Sequence, residues 1–147
     1  MNLEIREARD DDLPAVLAQY AQPGFDDGPA LPLEDARQLL ATFRQYPSYR
    51  LFVACHEGHV VGTYTLLVMH KLAHLGSPAA IVEDVVVSPQ YQGMGIGKAM
   101  MAHAIRLAGE AGCYKLALSS NQKRVDAHAF YASLGFQRHG FSFVVGI

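Results

Sequence analysis

Residues 82–101 read V-E-D-V-V-V-S-P-Q-Y-Q-G-M-G-I-G-K-A-M-M, and this stretch decides the fold. The β-branched residues Val85, Val86 and Val87 predict a strand that is buried on both faces. Pro89 ends this strand, because proline cannot donate a hydrogen bond to a neighbouring strand. Apolar residues then recur at helical spacing over residues 98–111. The stretch therefore predicts a strand, a turn and a helix in succession.

The turn carries glycine at every second position, as Gly93, Gly95 and Gly97. Backbone N–H groups in such a turn bind anions together with the positive end of the helix that follows. A side chain at any of the three positions would keep a phosphate from reaching those N–H groups. The sequence therefore predicts a phosphate-binding loop between the strand and the helix.

Two common phosphate-binding loops do not fit this turn. A dinucleotide loop needs G-x-G-x-x-G, and counting from either Gly93 or Gly95 places another residue at the third glycine. A Walker loop needs a glycine where this chain has Gln92, and a serine or threonine where it has Ala99. Both assignments are excluded.

The pattern that fits is Q-x-x-G-x-G, formed by Gln92, Gly95 and Gly97 after a valine strand. Here the chain resembles the GNAT superfamily of N-acetyltransferases, in which such a loop holds the pyrophosphate of acetyl-coenzyme A. The resemblance implies acetyl-coenzyme A as the acetyl donor and a set of residues that bind it. These residues are Val85, Val86, Val87, Gln92, Gly93, Met94, Gly95, Ile96, Gly97, Lys98, Asn121, Phe130 and Tyr131.

Length and composition favour one ordinary globular unit. The chain has 147 residues, which is the length of one domain, and we expect a single N-acetyltransferase domain over residues 1–147. A net charge of -2 argues against nucleic-acid partners. No apolar run approaches ~18 residues, so no membrane partner is expected. The cysteines match no metal spacing, and the N-terminus lacks the apolar core of a signal peptide. We expect a cytoplasmic protein and allow for a homodimer.

Hydrophobic periodicity predicts the element order β-α-α-β-β-β-α-β-α-β-β, which is also the order of the superfamily. Strands are expected at residues 3–8, 49–56, 60–70, 85–87 and 114–118, with a closing pair at 136–137 and 141–145. Helices are expected at residues 10–20, before Pro47, at 98–111 and at 123–134. The resemblance implies an α/β fold, the acyl-coenzyme A N-acyltransferase fold, with a central mixed sheet flanked by about four helices. In that fold strands 85–87 and 114–118 diverge, and their unpaired backbone groups bind the pantetheine arm.

A second motif of the superfamily is similar to residues 127–136, which read A-H-A-F-Y-A-S-L-G-F. The tyrosine of that motif is often the general acid, and Tyr131 is the residue that matches. A phenol near the sulfur can protonate the thiolate that leaves when the amide forms. The alternative is that Tyr131 belongs to the core, since it lies on an apolar helical stripe.

The C-terminal part departs from the superfamily at one place. Many members carry asparagine seven residues before this tyrosine, whereas Arg124 stands there and Asn121 comes one turn earlier. Residues 119–131 are instead similar to aminoalkylphosphonate N-acetyltransferases, as is the aromatic ending at 141–143. The resemblance implies that Asn121 contacts coenzyme A. Lys123 and Arg124 either face its phosphates or begin a helix in solvent.

The candidate bases are Glu83 and Asp84, at the predicted start of the central strand. An ammonium acceptor must lose a proton before it attacks a thioester, and polar groups are costly there unless satisfied or used. Strand alternation would place the two side chains on opposite faces, so at most one points at the reacting nitrogen. Either carboxylate, or a water molecule held by one, could be the base. The alternative is that they cap backbone N–H groups or pair with a lysine.

Charged residues in two loops suggest how an acceptor is held. The acidic set expected to attract an ammonium is Asp26, Asp27, Glu83 and Asp84. The set expected to hold an anionic tail is His70, Lys71 and His74. An acceptor such as an aminophosphonate or an amino acid would match both. No metal is assigned, because two histidines at this spacing make a ligand pair only on a helix.

The leading interpretation is direct transfer of acetyl from acetyl-coenzyme A to the amine of a small molecule. One alternative is acetylation of a protein N-terminus or lysine. Another is a catalytically inert domain that binds acyl-coenzyme A as a sensor. The presence of Tyr131 together with Glu83 and Asp84 argues against the inert domain.

Overall fold

The computed structural model describes residues 1–147 and divides them into two compact units. One unit comprises Met1–Ala117 and the other Leu118–Ile147. None of the helices is both long and apolar enough to cross a membrane.

The first unit is built on one five-stranded sheet, in which the strands lie side by side in chain order. The first four strands are antiparallel to their neighbours, and the last pair is parallel, so the sheet is mixed as expected. The strands are β1 (Leu3–Glu7), β2 (Tyr49–His56), β3 (His59–Met69), β4 (Ala79–Val87) and β5 (Leu116–Ala117).

Helices cover both faces of this sheet. They are α1 (Leu13–Tyr20), α2 (Leu33–Phe43) and α3 (Ile96–Glu110). Leu51 and Val53 of β2 pack into one core with α1 and α2. Phe52, between them, contacts His103 of α3 with ring centroids 5.1 Å apart. Because neighbouring side chains on a strand point to opposite faces, α3 lies on the face opposite α1 and α2.

Close packing fixes how near α3 lies to the sheet. Met100 is fully buried, and a Cβ atom added at Gly62 of β3 would lie 3.1 Å from its sulfur. The same Cβ would lie 3.2 Å from the Val86 carbonyl oxygen of β4. The helix that follows the glycine turn is thus held directly against the two central strands.

The second unit contains α4 (Val125–Ser133), the fourth helix of the chain. It ends as expected at Gly135, whose φ of 94° lies in the left-handed region. The N–H of Gly135 donates to the Ala132 carbonyl, and the N–H of Phe136 donates to the Tyr131 carbonyl, each at 3.1 Å. These two hydrogen bonds satisfy carbonyl groups that the end of the helix leaves free.

Three sequence predictions about strands are wrong. The closing pair at 136–137 and 141–145 does not form, because neither segment finds a strand partner; Phe141 and Phe143 are 91% and 93% exposed. The strand predicted at 114–118 is only the two-residue β5. Finally, β4 begins at Ala79, so Glu83 and Asp84 lie in its interior rather than at its start.

Candidate active site

The glycine turn has the backbone conformation of a phosphate-binding loop. Gly93 and Gly95 have φ values of 78° and 86°, in the left-handed region that favours glycine. Gly95 is the N-cap of α3, and its carbonyl accepts the hydrogen bond from the Ala99 N–H at 3.0 Å. The N–H groups of the first turn have no such partner within the helix. They are available to an anion.

The space beside the turn is open. A Cβ atom added at Gly93 or at Gly95 would have no other atom within 4 Å. Met94 and Lys98 are exposed, whereas Ile96 is 1% exposed and packs in the core. The Ile96 side chain therefore cannot contact a ligand, and only its backbone can.

Hydrogen bonds join the turn to the end of β4. The side-chain amide of Gln92 donates to the Val87 carbonyl at 3.4 Å. Ser88 is buried, its N–H donates to the Val61 carbonyl at 2.8 Å, and its carbonyl accepts from the Tyr91 N–H at 2.9 Å. The turn is thereby held at a fixed place relative to the sheet.

One edge of β4 has no strand partner along most of its length. The strand pairs with β3 on one side as far as Val87, but with β5 only at Ala80 and Ile81. Beyond Ile81 this edge of β4 therefore has no strand partner, and the expected divergence of the two strands stays a prediction. Val86 is buried and Val85 and Val87 are half-buried, which corrects the prediction of a run buried on both faces.

A bulge interrupts β4 at the two candidate bases. Thr65 of β3 pairs with Glu83 and Thr63 pairs with Val86, so two residues of β4 lie opposite the single residue between the threonines. Asp84 has a φ of 53°, a left-handed conformation that aspartate tolerates better than most residues. The bulge places one extra residue in β4 and disturbs the alternation of side chains.

As a consequence, Glu83 and Asp84 act on the same phenol. Burial raises the pKa of Tyr49, a hydrogen bond to Thr65 opposes this, and the charges of Asp84 and Glu83 raise it further. The bulge interrupts the regular alternation on which the prediction of opposite faces rested.

The surroundings of Asp84 favour its neutral form. Although the residue as a whole is exposed, burial raises the pKa of its carboxyl, and the charge of Asp26 raises it further. Burial also raises the pKa of Tyr20 at the end of α1, and the charge of Asp84 adds to that effect. A carboxyl with a raised pKa, beside two phenols, has the chemistry of a general base.

The structure does not bring the predicted anion-binding residues to this place. Lys71 donates to the Tyr114 hydroxyl at 3.3 Å, and the rings of His74 and Tyr114 stack with centroids 4.4 Å apart. This cluster lies beyond the Ala79 end of β4. Asp84 is five steps along the strand from Ala79, which is about 16 Å at a rise of ~3.3 Å per residue.

The second unit gives Asn121, Phe130 and Tyr131 a defined local setting. The Asn121 side-chain oxygen accepts from the Lys123 N–H at 2.9 Å. The half-buried Tyr131 ring contacts the rings of Phe130 and Phe136, with centroids 5.1 and 5.7 Å away. Burial raises the pKa of the Tyr131 phenol, and the charge of Arg124 opposes that rise.

Sequence reasoning missed four residues around the site. The sequence patterns placed Tyr20 in an apolar helical stripe, and Tyr49 and Thr65 in strands, without indicating a role in the site. Gln19, which hydrogen bonds to Ser88, carried no signal beyond its place in a helix. The structure holds no group of three or more His, Cys, Asp or Glu side chains arranged for a metal ion.

Comparison with known proteins identifies the family. The model of the acetyltransferase (GNAT) family matches residues 8–136. The chain belongs to this family. The match includes the glycine turn and the Phe130–Tyr131 motif, and it extends across both units of this GNAT protein.

Three relatives are N-acetyltransferases of different acceptors. A glucosamine 6-phosphate N-acetyltransferase of Trypanosoma brucei brucei is 38% identical over 89 residues, or 59% of this chain and 58% of that protein. An aminoglycoside N(6')-acetyltransferase of Stenotrophomonas maltophilia is 34% identical over 133 residues, 84% of this chain and 82% of that one. An aminoalkylphosphonate N-acetyltransferase of Salmonella typhimurium is 31% identical over 148 residues, 95% and 88% of the two chains. The GNAT chain thus spans little more than half of the first relative and over four fifths of the others.

A solved structure has the same fold. It is a candidate acetyltransferase from Agrobacterium tumefaciens that is 33% identical, with a TM-score of 0.91. The superposition covers 98% of this chain and 99% of that one. The expected fold, and the resemblance of this GNAT protein to aminoalkylphosphonate N-acetyltransferases, are both confirmed.

Proposed function

We propose that the protein is an acetyl-coenzyme A-dependent N-acetyltransferase that transfers acetyl directly to the amine of a small molecule. The observation that carries this proposal is the left-handed Gly93–Gly95 turn, which opens α3 beside the unpaired edge of β4. Family membership supports it, and the names of the three relatives all denote small amine acceptors.

The residues of the first unit fit the donor. The turn and the first N–H groups of α3 would hold the pyrophosphate, and the open space beside Gly93 and Gly95 admits it. The unpaired edge of β4, including Val85 and Val87, would hydrogen bond to the amides of the pantetheine arm as an added strand does. The bound donor supplies an activated acetyl thioester.

We assign the general base to Asp84 rather than to Glu83. Burial and the charge of Asp26 raise the pKa of Asp84, so this carboxylate holds a proton more strongly than an ordinary aspartate does. In the reaction it takes a proton from the acceptor ammonium. The neutral amine then attacks the acetyl carbon, the carbon–nitrogen bond forms as the carbon–sulfur bond breaks, and the second proton lost by the nitrogen passes to solvent.

We assign the general acid to Tyr131, and we propose that Phe130 and Asn121 contact coenzyme A. Burial keeps the Tyr131 phenol protonated at neutral pH, so it has a proton to give to the departing sulfur. The Phe130 and Phe136 rings restrict the position of the phenol. The family match across both units supports treating residues 1–147 as one catalytic domain.

We further propose a cytoplasmic homodimer. The free thiols of Cys55 and Cys113 suit a reducing compartment. The exposed apolar residues near the C-terminus, among them Phe141 and Phe143, would be covered by a second copy. Light scattering at several protein concentrations would give the mass, and a monomer at all of them would refute the dimer.

Thiol release tests the function directly. The protein is incubated with acetyl-coenzyme A and a panel of small amines, and free thiol is measured over time. We expect release that depends on the amine, with an acetylated amine as the product. Binding of acetyl-coenzyme A without thiol release would identify an inert sensor. Turnover of peptides but not of small amines would identify a protein acetyltransferase.

A further inference from the structure

A groove beside the candidate bases is lined by two tyrosine rings and one carboxylate. It has a volume of about 270 Å³ and is lined by Tyr46, Tyr49, Thr65, Leu67, Ile81 and Glu83. The sheet forms its floor, since Thr65 pairs with Glu83 and Leu67 with Ile81 across β3 and β4. The only charged side chain in the lining is the carboxylate of Glu83.

The aromatic wall of the groove is held firmly in place. The Tyr49 ring stacks on Phe43 of α2, with centroids 4.4 Å apart and an angle of 25° between the planes. Tyr46 meets the Tyr49 ring edge-on at 6.2 Å and is 58% exposed. One ring is therefore fixed by the core, and the other lies at the entrance.

The electrostatic field of the groove favours a cation. The charges of Asp84 and Glu83 both act on Tyr49, and the charge of Asp26 acts on Asp84. No basic side chain lines this groove, whereas Arg44 and Arg50 line the adjoining cavity that shares Tyr46 and Tyr49. Lys71 and His74 are engaged with Tyr114, whose N–H donates to the Pro78 carbonyl just before β4. An ammonium group gains from both the carboxylate and the electron-rich faces of tyrosine rings.

We propose that this groove binds a second ammonium group of the acceptor, so that the preferred acceptor is a small diamine or polyamine. The inference rests on the proposed function. The reacting amine lies at Asp84, and the retained ammonium lies at Glu83 against Tyr49 and Tyr46. Glu83 is the strand residue next to Asp84, ~3.3 Å along β4, and the groove continues from Glu83 to Ile81, so it accommodates two amines separated by a short carbon chain.

The first test compares three acceptors that differ only in the far end of a short chain. They are 1,4-diaminobutane, butylamine and 4-aminobutyrate, assayed by thiol release with the wild-type protein. We expect KM to be at least tenfold lower for the diamine than for butylamine, and highest for 4-aminobutyrate. Equal kcat/KM for diamine and butylamine, or a preference for 4-aminobutyrate, overturns the inference and leaves the proposed function standing. Absence of thiol release with every amine overturns the proposed function.

The second test asks whether the aromatic wall is the cause. Tyr49→Leu should raise the KM of the diamine about five- to tenfold with little effect on butylamine, while Tyr49→Phe should keep the wild-type KM because the ring remains. Tyr114→Leu, at an exposed tyrosine outside the lining of the groove, should change neither acceptor. Equal effects of Tyr49→Leu on both amines would refute a cation subsite. If Tyr49→Leu does not fold, Tyr46→Leu at the exposed ring carries the test, with an expected rise of about threefold for the diamine alone.

Discussion

The side-chain amide of Gln19 on α1 donates a hydrogen bond to the hydroxyl of Ser88, the residue that joins β4 to the glycine turn. Both residues are buried. The side-chain oxygen of Gln19 in turn accepts a hydrogen bond from Gln22 at 2.8 Å. The next residue of α1, Tyr20, lies close enough to Asp84 for its charge to raise the phenol's pKa. One helix thus connects the proposed base to the proposed phosphate loop.

Replacement of Gln19 by leucine should loosen this connection. The variant leaves the buried Ser88 hydroxyl without its donor, which costs about 2 kcal/mol of unfolding free energy. We also expect a higher KM for acetyl-coenzyme A, because the start of the glycine turn is less restrained. Urea denaturation and steady-state kinetics measure the two effects. Gln38→Leu at an exposed position of α2 is the matched control and should stay within ~0.5 kcal/mol. Equal stability of the two variants would contradict the role of the hydrogen bond.

Gly95→Val should weaken binding of acetyl-coenzyme A. A β-branched residue at a φ of 86° is strained, and its side chain would project into the space assigned to the phosphates. We expect the KM for acetyl-coenzyme A to rise at least tenfold. Gly109→Ala is the control, since Gly109 lies inside α3 without a positive φ and with no atom near an added Cβ. It should stabilise the protein by about 0.5–1 kcal/mol and leave KM unchanged. An unaltered KM in folded Gly95→Val would remove the phosphate assignment.

Asp84→Asn should trade activity for stability. Loss of the general base should lower kcat by about 10²-fold or more. The folded state raises the pKa of Asp84, so ionisation of this group costs stability at neutral pH, and that cost disappears as the pH falls below its ordinary value. The asparagine variant lacks the cost and should have a higher Tm at pH 7. The difference in Tm should shrink on acidification. A variant that keeps full activity would assign the base elsewhere.

Asp26→Asn should shift the pH dependence of the reaction. The charge of Asp26 helps to raise the pKa of Asp84, so its removal should lower that pKa. The acid limb of the kcat/KM profile, which reports ionisation of the base, should then move to lower pH. Asp27→Asn, one residue further along the same loop, is the control and should leave the limb in place. A limb that moves upward, or not at all, would argue against Asp84 as the titrating group.

Tyr131→Phe should lower kcat by about 10²-fold while leaving the KM of acetyl-coenzyme A nearly unchanged. The ring and its contacts with Phe130 and Phe136 remain, so only the proton donor is lost. Tyr114→Phe removes a phenol hydroxyl from an exposed position and should keep wild-type rates. A wild-type rate in Tyr131→Phe would return this residue to a purely structural role.

The parts of the site that depend on local backbone conformation could be predicted from sequence. Glycine at positions 93 and 95 permits the left-handed conformation that the turn requires, and the helical spacing after it predicts the start of α3 to within two residues. The bounds of β2, at Tyr49–His56, were likewise predicted, because an apolar run of strand length is followed by a turn at Gly58.

The parts that depend on pairing between strands could not be predicted. The bulge at Asp84 arises from the register of β3 against β4, and no pattern within residues 79–87 reveals it. For the same reason the sequence did not associate Tyr20 and Tyr49 with Asp84. The two tyrosines are distant from Asp84 in the sequence, and only the fold brings them within range of its charge. Residues 141–145 show the opposite error, since their β propensity was clear but no partner strand is present.

The brevity of β5 also bears on how the protein avoids aggregation through its strand edges. An unpaired strand edge is a template on which a second molecule can add a strand, and such pairing leads to aggregation. The bulge bends and twists β4 where this edge is open, which makes a straight partner strand fit poorly. Two copies aligned at this edge would also bring Glu83 and Asp84 near the same pair of like charges. The bulge and the two carboxylates of the candidate active site therefore also hinder strand pairing between this open edge and the same edge of a second copy.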